Sequence, residues 1–509
     1  MMARHSAGRW LICWFPSCLL LLAFVGAAAA DPKPLSKEEQ AKVDKAIEKG
    51  IAYLKREQTK EGNWPTHWGK RFLVGECALP AYALLEAGVP GNDPVIQKAA
   101  AFIRPKVANT DDTYQLSLAV LFFDRLGDPK DEKLIQTCAL RLIAGQFYSG
   151  GWSYVCPRFK VGQDLALLKV LEALSEQRQE KKSLKAAFKA LANPASVLIW
   201  PLQAPCSVPW SGEVLEDYKD YRRGTREHKL PPSLKGFKGL AVFQDPEMLT
   251  WREVGFDAKN MNNPDSVPLV GLTDNSNTQF AMLALWVAQR HGIPTKATFR
   301  LLAARFDRAE VGMYRLSKKD LGWSNGSMIC VDLLGLAIGQ GLKFSGSGSS
   351  IPRGDLRVIA RLAALYATIG SPRGQMDKPL PPEDVYFLWS LERVGMLFNL
   401  PTLGDKEWYR WGAEILVANQ LDSGEFSAVN WWKKLGFALP RKEQLTYGPC
   451  VSSAFALLFL KHSHPMKELT PNLPFTAREL NEGITRLRSG SSQLQGSTTI
   501  PSRSTKPGP

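Results

Sequence analysis

The sequence has 509 residues, of which 45% are hydrophobic and 22% are charged. This balance is typical of a globular chain and excludes a largely disordered or collagen-like protein. The formal net charge is +15, which favours contact with anionic partners such as a phospholipid surface, nucleic acid or an acidic polysaccharide. The basic residues are scattered among helical patterns without a base-stacking module, so we expect no nucleic-acid binding.

The N-terminus predicts an export signal. An apolar run from Trp10 to Val25 follows two arginines, and three alanines end it before Asp31. This order is typical of a secretory signal peptide, so we assign residues 1–30 to one and expect a secreted or periplasmic protein. An uncleaved membrane anchor is the alternative, because the run is almost long enough to span a bilayer.

Apolar residues recur at helical spacing from Val43 to Leu460, and strand patterns are nearly absent, so we predict an all-α fold. The predicted helices cover residues 40–57, 75–87, 94–103, 112–126, 131–146, 163–176, 276–291, 296–307, 328–340, 355–369, 383–397, 405–419 and 450–461. Almost wholly apolar helices alternate with amphipathic ones. Wholly apolar helices are typical of positions surrounded by protein, and amphipathic helices are typical of an outer layer that covers them. The alternation therefore predicts an inner and an outer ring of helices.

A short string recurs where outer helices end. Its copies contain Gln58, Gly62 and Trp64, then Gln146, Gly150 and Trp152, then Gln420, Gly424 and Phe426, while a fourth copy keeps only Gly322-Trp323. Glutamine can hydrogen-bond the backbone that is freed where a helix stops, glycine permits the chain reversal, and the aromatic ring packs over the turn.

The segment from Lys49 to Trp64 resembles the QW repeat of squalene and oxidosqualene cyclases. The resemblance covers roughly residues 40–175 and 274–461 and implies the α/α toroid that those enzymes share with protein prenyltransferases and complement thioester domains. Residues 274–281 and 386–395 are also similar to secreted bacterial prenyltransferase and squalene oxidase repeat proteins.

The resemblance and the composition together divide the chain into regions. We expect a toroid over residues 31–465, with an irregular, proline-rich insertion at about 177–273. From residue 466 to residue 509 the content of serine, threonine, glycine and proline rises, and we expect a disordered tail there.

Polar residues at the starts of the inner helices are the first candidates for a functional site. In a toroid these starts converge on one end of the cavity and present free N–H groups there. A capping role, which stabilises a helix by about 1 kcal/mol, explains any single one equally well. The candidates are Glu76, Asp111, Asp112, Thr113, Asp164, Asp274, Ser276, Asp332, Glu383 and Asp384.

Residues 109–113, Asn-Thr-Asp-Asp-Thr, are similar to the DxDDT string from which squalene-cyclase-like enzymes protonate an alkene. The resemblance places the proton donor on Asp111 and its partner carboxylate on Asp112, and it implies a terpenoid-cyclase-like lyase or isomerase that acts on a polyprenyl substrate. The chain departs from the family string at Asn109, where the family has its first aspartate.

Other catalytic signals are absent from the sequence. Cys330-Val331-Asp332 reverses the order of the zinc ligands of protein prenyltransferases, and no Walker, HExxH or GxSxG string occurs, so we expect no metal and no cofactor. Six cysteines follow the signal peptide; they leave one or two disulfides open, with Cys138 and Cys156 nearest in sequence, and buried free thiols as the alternative.

Two hypotheses of function follow. The leading one is a toroid that binds a hydrophobic small molecule in an apolar cavity, or another exported protein at its surface, with Asp274, Trp286 and Trp389 as candidate ligand-binding residues. The alternative is the cyclase-like lyase or isomerase with Asp111 as its acid.

Overall fold

The computed structural model describes residues 34–66, 72–147, 150–159, 162–176, 273–308, 325–344, 356–369, 384–426, 448–462 and 465–495. The predicted signal peptide, almost all of the insertion and the fourth repeat string lie outside these residues.

Fourteen α-helices lie within the described residues, and β pairing there is limited to isolated bridges. The helices are α1 Lys37–Glu57, α2 Leu73–Glu86, α3 Pro94–Val107, α4 Thr113–Leu126, α5 Glu132–Ala144, α6 Gln163–Glu176, α7 Asn275–Ala288, α8 Lys296–Arg308, α9 Asn325–Phe344, α10 Leu356–Thr368, α11 Asp384–Leu397, α12 Trp408–Asn419, α13 Pro449–Leu460 and α14 Ala477–Gln495. Each of the predicted helices is confirmed. None of the described helices is long and apolar enough to cross a membrane.

Six of these helices form a closed inner ring. In the order α2, α4, α7, α9, α11 and α13, each packs against the next, and α13 returns to pack against α2. The ring explains why these sequences are apolar on every side. In α13, for example, every residue from Cys450 to Leu460 is buried, as expected of a helix with protein all round it.

Six further helices cover the ring from outside, namely α1, α3, α5, α8, α10 and α12. Helix α1 packs against both α13 and α2, α5 against α4 and α7, and α12 against α11 and α13. Their sequences are amphipathic: α1 buries Val43, Ile47 and Leu54 along one face and leaves lysines and glutamates on the other. The chain thus alternates between outer and inner helices, and the fold is the expected α/α toroid.

The repeat strings join neighbouring outer helices to each other. The Nε2 atom of Gln58 donates to the Gly62 carbonyl at 3.0 Å and also to the carbonyl of Val95, at the start of α3, at 2.8 Å. The indole Nε1 of Trp64 donates to the Leu54 carbonyl at 2.7 Å, in the last turn of α1. The string therefore ends one outer helix and fastens it to the next.

The second and third copies repeat this geometry. Gln146 bonds the carbonyls of Gly150 and Thr298, both at 3.0 Å, and so links α5 to α8. Gln420 bonds Gly424 at 3.0 Å and Ala46 at 2.8 Å, and so links α12 back to α1. The third copy therefore closes the outer ring between the end of the repeat region and its beginning.

Two glycines of these turns are required by both conformation and space. Gly150 has φ +78°, and a Cβ there would lie 2.2 Å from the Leu301 carbonyl oxygen. Gly424 has φ +89°, and a Cβ there would lie 2.2 Å from the Lys49 oxygen. Only a glycine allows the turn to approach the neighbouring outer helix so closely.

The region after residue 465 differs from the expected disordered tail as far as residue 495. It contains α14, which packs on α10 and buries Leu480 and Ile484, 1% and 0% exposed. These two residues are four apart, so they lie on one face of a helix. The serine and glycine content of the region hid this short apolar face.

The described cysteines are buried free thiols, which was one of the two alternatives. Neither Cys138 nor Cys156 forms a disulfide bond. Burial raises the pKa of each thiol to about 12, so both are inert at neutral pH.

Candidate functional site

The first turns of the inner helices meet at one end of the ring. At the start of α4, the side-chain oxygen of Gln115 accepts from the backbone N–H groups of Val74 and Gly75, at 3.0 and 3.4 Å, at the start of α2. The neighbouring Tyr114 hydroxyl lies 2.5 Å from the Ser276 hydroxyl, in the first turn of α7. The inner helices therefore begin at the same end, as the toroid requires.

The same end is linked further round the ring through Gln279 of α7. Its side-chain oxygen accepts from the Tyr386 hydroxyl on α11, and its Nε2 donates to the Ser390 hydroxyl at 3.2 Å. We call Tyr114, Gln115, Ser276, Gln279 and Tyr386 the polar collar. The collar joins four of the six inner helices at the N-terminal end of the ring, partly through bonds between two side chains and partly through bonds from backbone N–H groups to a side chain.

Four aromatic side chains pack against each other just inside the collar. The Phe280 ring stacks on Trp389, with centroids 5.1 Å apart and 20° between planes, and on Tyr386 at 6.3 Å. Phe455 lies 5.2 Å from Trp389 and 6.5 Å from Phe280. Phe280 belongs to α7 and Phe455 to α13, which are not neighbours in the ring, so this aromatic cluster reaches across the interior.

Trp389 and Trp286, both predicted to bind ligand, occupy different places. Trp389 is 2% exposed and belongs to the aromatic cluster. The Trp286 ring instead lies 5.8 Å from the ring of Phe299, on the outer helix α8. Of the two, only Trp389 is brought to the interior of the ring.

Asp274, the third predicted ligand residue, is the N-cap of α7. One carboxylate oxygen accepts from the Asn277 backbone N–H at 2.7 Å and from the Ser276 hydroxyl at 2.8 Å, and the other accepts from the Asn277 side-chain amide at 2.8 Å. The carboxylate is only 1% exposed. Asp274 therefore acts on the collar indirectly, by holding Ser276 beside Tyr114.

The two carboxylates of the cyclase-like string have separate environments. Asp112 is 2% exposed and caps α4, where its side chain accepts from the Gln115 backbone N–H at 3.0 Å. The Asp111 side chain is 22% exposed and lies 3.1 Å from the guanidinium of Arg158. One carboxylate is thus a buried helix cap and the other takes part in an ion pair near the surface.

Three other candidates at inner-helix starts lie within the described residues. Glu76 is 4% exposed in the first turn of α2, and the Thr113 hydroxyl donates to the Ser153 carbonyl at 2.5 Å. Asp384 is the first residue of α11, and Glu383 lies outside the described residues.

Two further candidates face outer helices. Asp332 on α9 is fully buried and lies 3.4 Å from Arg361 of α10, so it pairs with the outer ring. Asp164 on α6 accepts from the Thr137 hydroxyl of α5 at 3.1 Å. Among the described residues, no group of three or more His, Cys, Asp or Glu side chains is arranged to hold a metal ion.

Sequence reasoning missed a buried pair of ionisable residues on α11. Glu392 is 0% exposed, and its Oε2 lies 3.0 Å from Nη2 of Arg393, without hydrogen-bond geometry. Burial raises the pKa of Glu392 to about 8; repulsion from Glu86 adds to this rise, and attraction to Arg393 opposes it. The available signal was two adjacent charged residues within a helix that is otherwise apolar.

Comparisons with known proteins match the beginning of the toroid. The family profile of the squalene-hopene cyclase C-terminal domain matches residues 33–117. A squalene–hopene cyclase of Bradyrhizobium diazoefficiens is 42% identical over 65 residues, which are 13% of this chain and 10% of that protein. A probable squalene–hopene cyclase of Sinorhizobium fredii is 35% identical over 86 residues, 17% of this chain and 11% of that protein.

The matched segments are short, since the chain spans about a tenth of the length of these curated relatives. No solved structure matches the chain significantly. The matched residues contain α1, the first repeat string, α2 and α3, and the remaining inner and outer helices continue the same architecture to a closed ring. Over residues 33–117 the chain is therefore similar to the squalene-hopene cyclase C-terminal domain, and the helices beyond this stretch complete an α/α toroid.

Proposed function

We propose that this chain is an exported toroid that binds an elongated hydrophobic ligand inside its inner ring, at the N-terminal end. The aromatic cluster carries the proposal. Its rings come from three inner helices and face each other across the interior, where they offer a continuous apolar and polarisable wall. Ligand pockets are typically lined by such side chains, with a few polar groups that fix orientation.

Contacts between the collar and the cluster support this site. Tyr114 is partly exposed at the collar, and its ring packs edge-on against Phe280, with centroids 5.1 Å apart. Ser276 and Tyr386 are each 7% exposed. The collar therefore places hydroxyl and amide groups directly beside the aromatic rings.

The proposal is tested by extracting the protein purified from its own cells and analysing the lipids by mass spectrometry. We expect a copurifying apolar lipid that is lost or strongly reduced in Trp389→Leu. Trp286→Leu is the matched control, because that ring packs outward against Phe299. Retention of the lipid in both variants, or its absence from the wild type, would contradict binding at the aromatic cluster. Absence from the wild type would instead direct the search to a protein partner at the surface.

A cyclase-like lyase or isomerase acting on a polyprenyl chain is the second candidate. One observation favours it: the residues matched by the squalene-hopene cyclase profile include Asp111 and Asp112. Incubation with squalene and other polyprenes tests it. Conversion by the wild type that disappears in Asp111→Asn would establish the acid chemistry, whereas conversion that survives in the variant would exclude Asp111 as its source.

A further inference from the structure

We infer that residues 465–472, which we call the strap, form a lid over the C-terminal end of the inner ring, and that Arg290 is the latch that holds this lid closed. The inference goes beyond the proposed function, because it concerns the end of the ring opposite the collar. A lid that opens when its latch breaks makes the strap a conformational device, separate from the packing of the ring itself.

The order of the helices shows that the strap crosses this end of the ring. Helices α13 and α7 are three places apart in either direction round the ring of six, so they lie on opposite sides. Leu460 ends α13, and a few residues later the Pro465 carbonyl accepts from Nη2 of Arg290 at 2.8 Å, in the short turn that follows α7.

The distance is compatible with a direct crossing. Helices that pack about 8–10 Å apart place the opposite axes of a six-membered ring about 16–20 Å apart. The few residues between the end of α13 and Pro465 can span this distance, since an extended chain advances about 3.3–3.6 Å per residue. The chain therefore passes from one side of the ring to the other directly after α13.

The strap then rests on the ends of two more inner helices. Leu469 lies against Gly341 near the end of α9, where a Cβ would be 2.3 Å from the leucine Cδ1. The Thr470 hydroxyl donates at 2.9 Å to the carbonyl of Leu397, the last residue of α11. Met466 and Leu469 are 2% and 1% exposed, so the strap buries apolar side chains against the ring. It therefore covers three consecutive inner helices, α7, α9 and α11.

Arg290 joins the strap to the rim of the ring. Its Nη2 donates to the Pro465 carbonyl and lies 3.3 Å from Oε1 of Glu468, while its Nη1 lies 3.0 Å from Oδ2 of Asp124, near the end of α4. The Arg290 side chain is 40% exposed and that of Glu468 is 49% exposed. Salt screens exposed ion pairs strongly and buried apolar packing hardly at all, so the latch can break while the ring stays folded.

Hydrogen–deuterium exchange of the full chain, resolved by peptide mass spectrometry, tests the inference. Two backbone bonds within the strap report on it, from the Leu469 N–H to the Met466 carbonyl and from the Asn472 N–H to the Leu469 carbonyl, both 2.9 Å long. We expect Arg290→Gln to speed exchange in the strap about tenfold, because charge-assisted hydrogen bonds are lost, and to leave exchange in α1 unchanged.

Salt provides a second measurement that depends on the charge of the latch. About 1 M NaCl should speed exchange in the strap of the wild type and add little in Arg290→Gln. Arg478→Gln is the matched control, because Arg478 is an exposed arginine on α14 whose ion pair with Glu482 lies outside the strap. Asp124 keeps His291 as a partner at 3.1 Å in Arg290→Gln, which favours correct folding of this variant.

The results decide the inference without any ligand, so it can fail or hold independently of the proposed function. Equal exchange of the strap in the wild type and Arg290→Gln would overturn the latch. A rise of equal size in α1 and in the strap would overturn a local lid, because it would mean that the whole toroid had loosened. A salt effect of the same size in Arg290→Gln as in the wild type would also contradict the role of Arg290.

Discussion

Replacing Glu392 with glutamine should change how the stability of the toroid depends on pH. The pKa of this carboxyl is about 8 in the folded chain, against an ordinary value of 4.5. Between these two values the folded state holds a proton that the unfolded chain has lost. Stability from this group is therefore fully present below about pH 4.5 and falls as the pH rises toward 8.

The size of the effect follows from the shift. Each pH unit within the window changes the free energy of unfolding by about 1.4 kcal/mol, so the wild type should lose about 4 kcal/mol between roughly pH 5 and pH 8 through this residue. Glutamine has no proton to lose, so this part of the decline should be missing from Glu392→Gln. Arg393, Glu86 and Tyr409 also interact electrostatically with Glu392, but they are the same in both proteins.

Urea unfolding followed by circular dichroism at a series of pH values measures the effect. The quantity of interest is the difference between variant and wild type at each pH, because other titrating groups cancel in it. Glu48→Gln, an exposed position on α1, controls for the loss of one acidic residue. Parallel pH profiles for the wild type and Glu392→Gln would refute the reasoning, since they would mean that the carboxyl is ionised and solvated at neutral pH.

Three further predictions concern the turns and caps that hold the rings together, each read as the change in unfolding free energy. Gly150→Ala should cost about 2 kcal/mol or more, because φ is +78° and the new Cβ would meet the Leu301 carbonyl. Gly127→Ala is the control and should cost only about 1 kcal/mol, because φ is +68° there but nothing lies within 4 Å of the new Cβ. Equal losses of stability in the two variants would contradict the steric argument. Gln420→Ala removes one hydrogen bond to Ala46 of α1 and one to Gly424 in its own turn, and it should cost about 2 kcal/mol. A loss below about 0.5 kcal/mol would show that the string does not fasten the outer ring. Asp112→Ala removes the cap of α4 and should cost about 1 kcal/mol, and an unchanged urea midpoint would argue against the capping role.

The helices and their division into two rings were predictable because both depend on local patterns. An inner helix such as α13 is apolar on every side, and an outer helix such as α1 is apolar on one face only. The repeat string was also visible, and the structure adds its second contact. Gln58 bonds its own turn, as expected, but it also bonds Val95 of the following outer helix.

The candidate site was predictable only in part. The search for polar residues at the starts of inner helices found Ser276, which is in the collar, and Asp274, which positions Ser276. The same reasoning could not separate a cap such as Asp112 from a group that faces the interior, because both have the same position in the sequence. It also overlooked Glu392, which lies in the later part of an inner helix.

The sequence by itself determined that this chain forms alternating inner and outer helices, because the period and breadth of an apolar face are properties of each segment alone. Only the tertiary structure decided which side chains meet inside the ring. Trp286 and Trp389 lie on inner helices of similar composition, yet one packs outward against Phe299 and the other stacks on Phe280. That outcome depends on how each helix is rotated and on which helices face each other across the ring, and contacts between distant segments fix both.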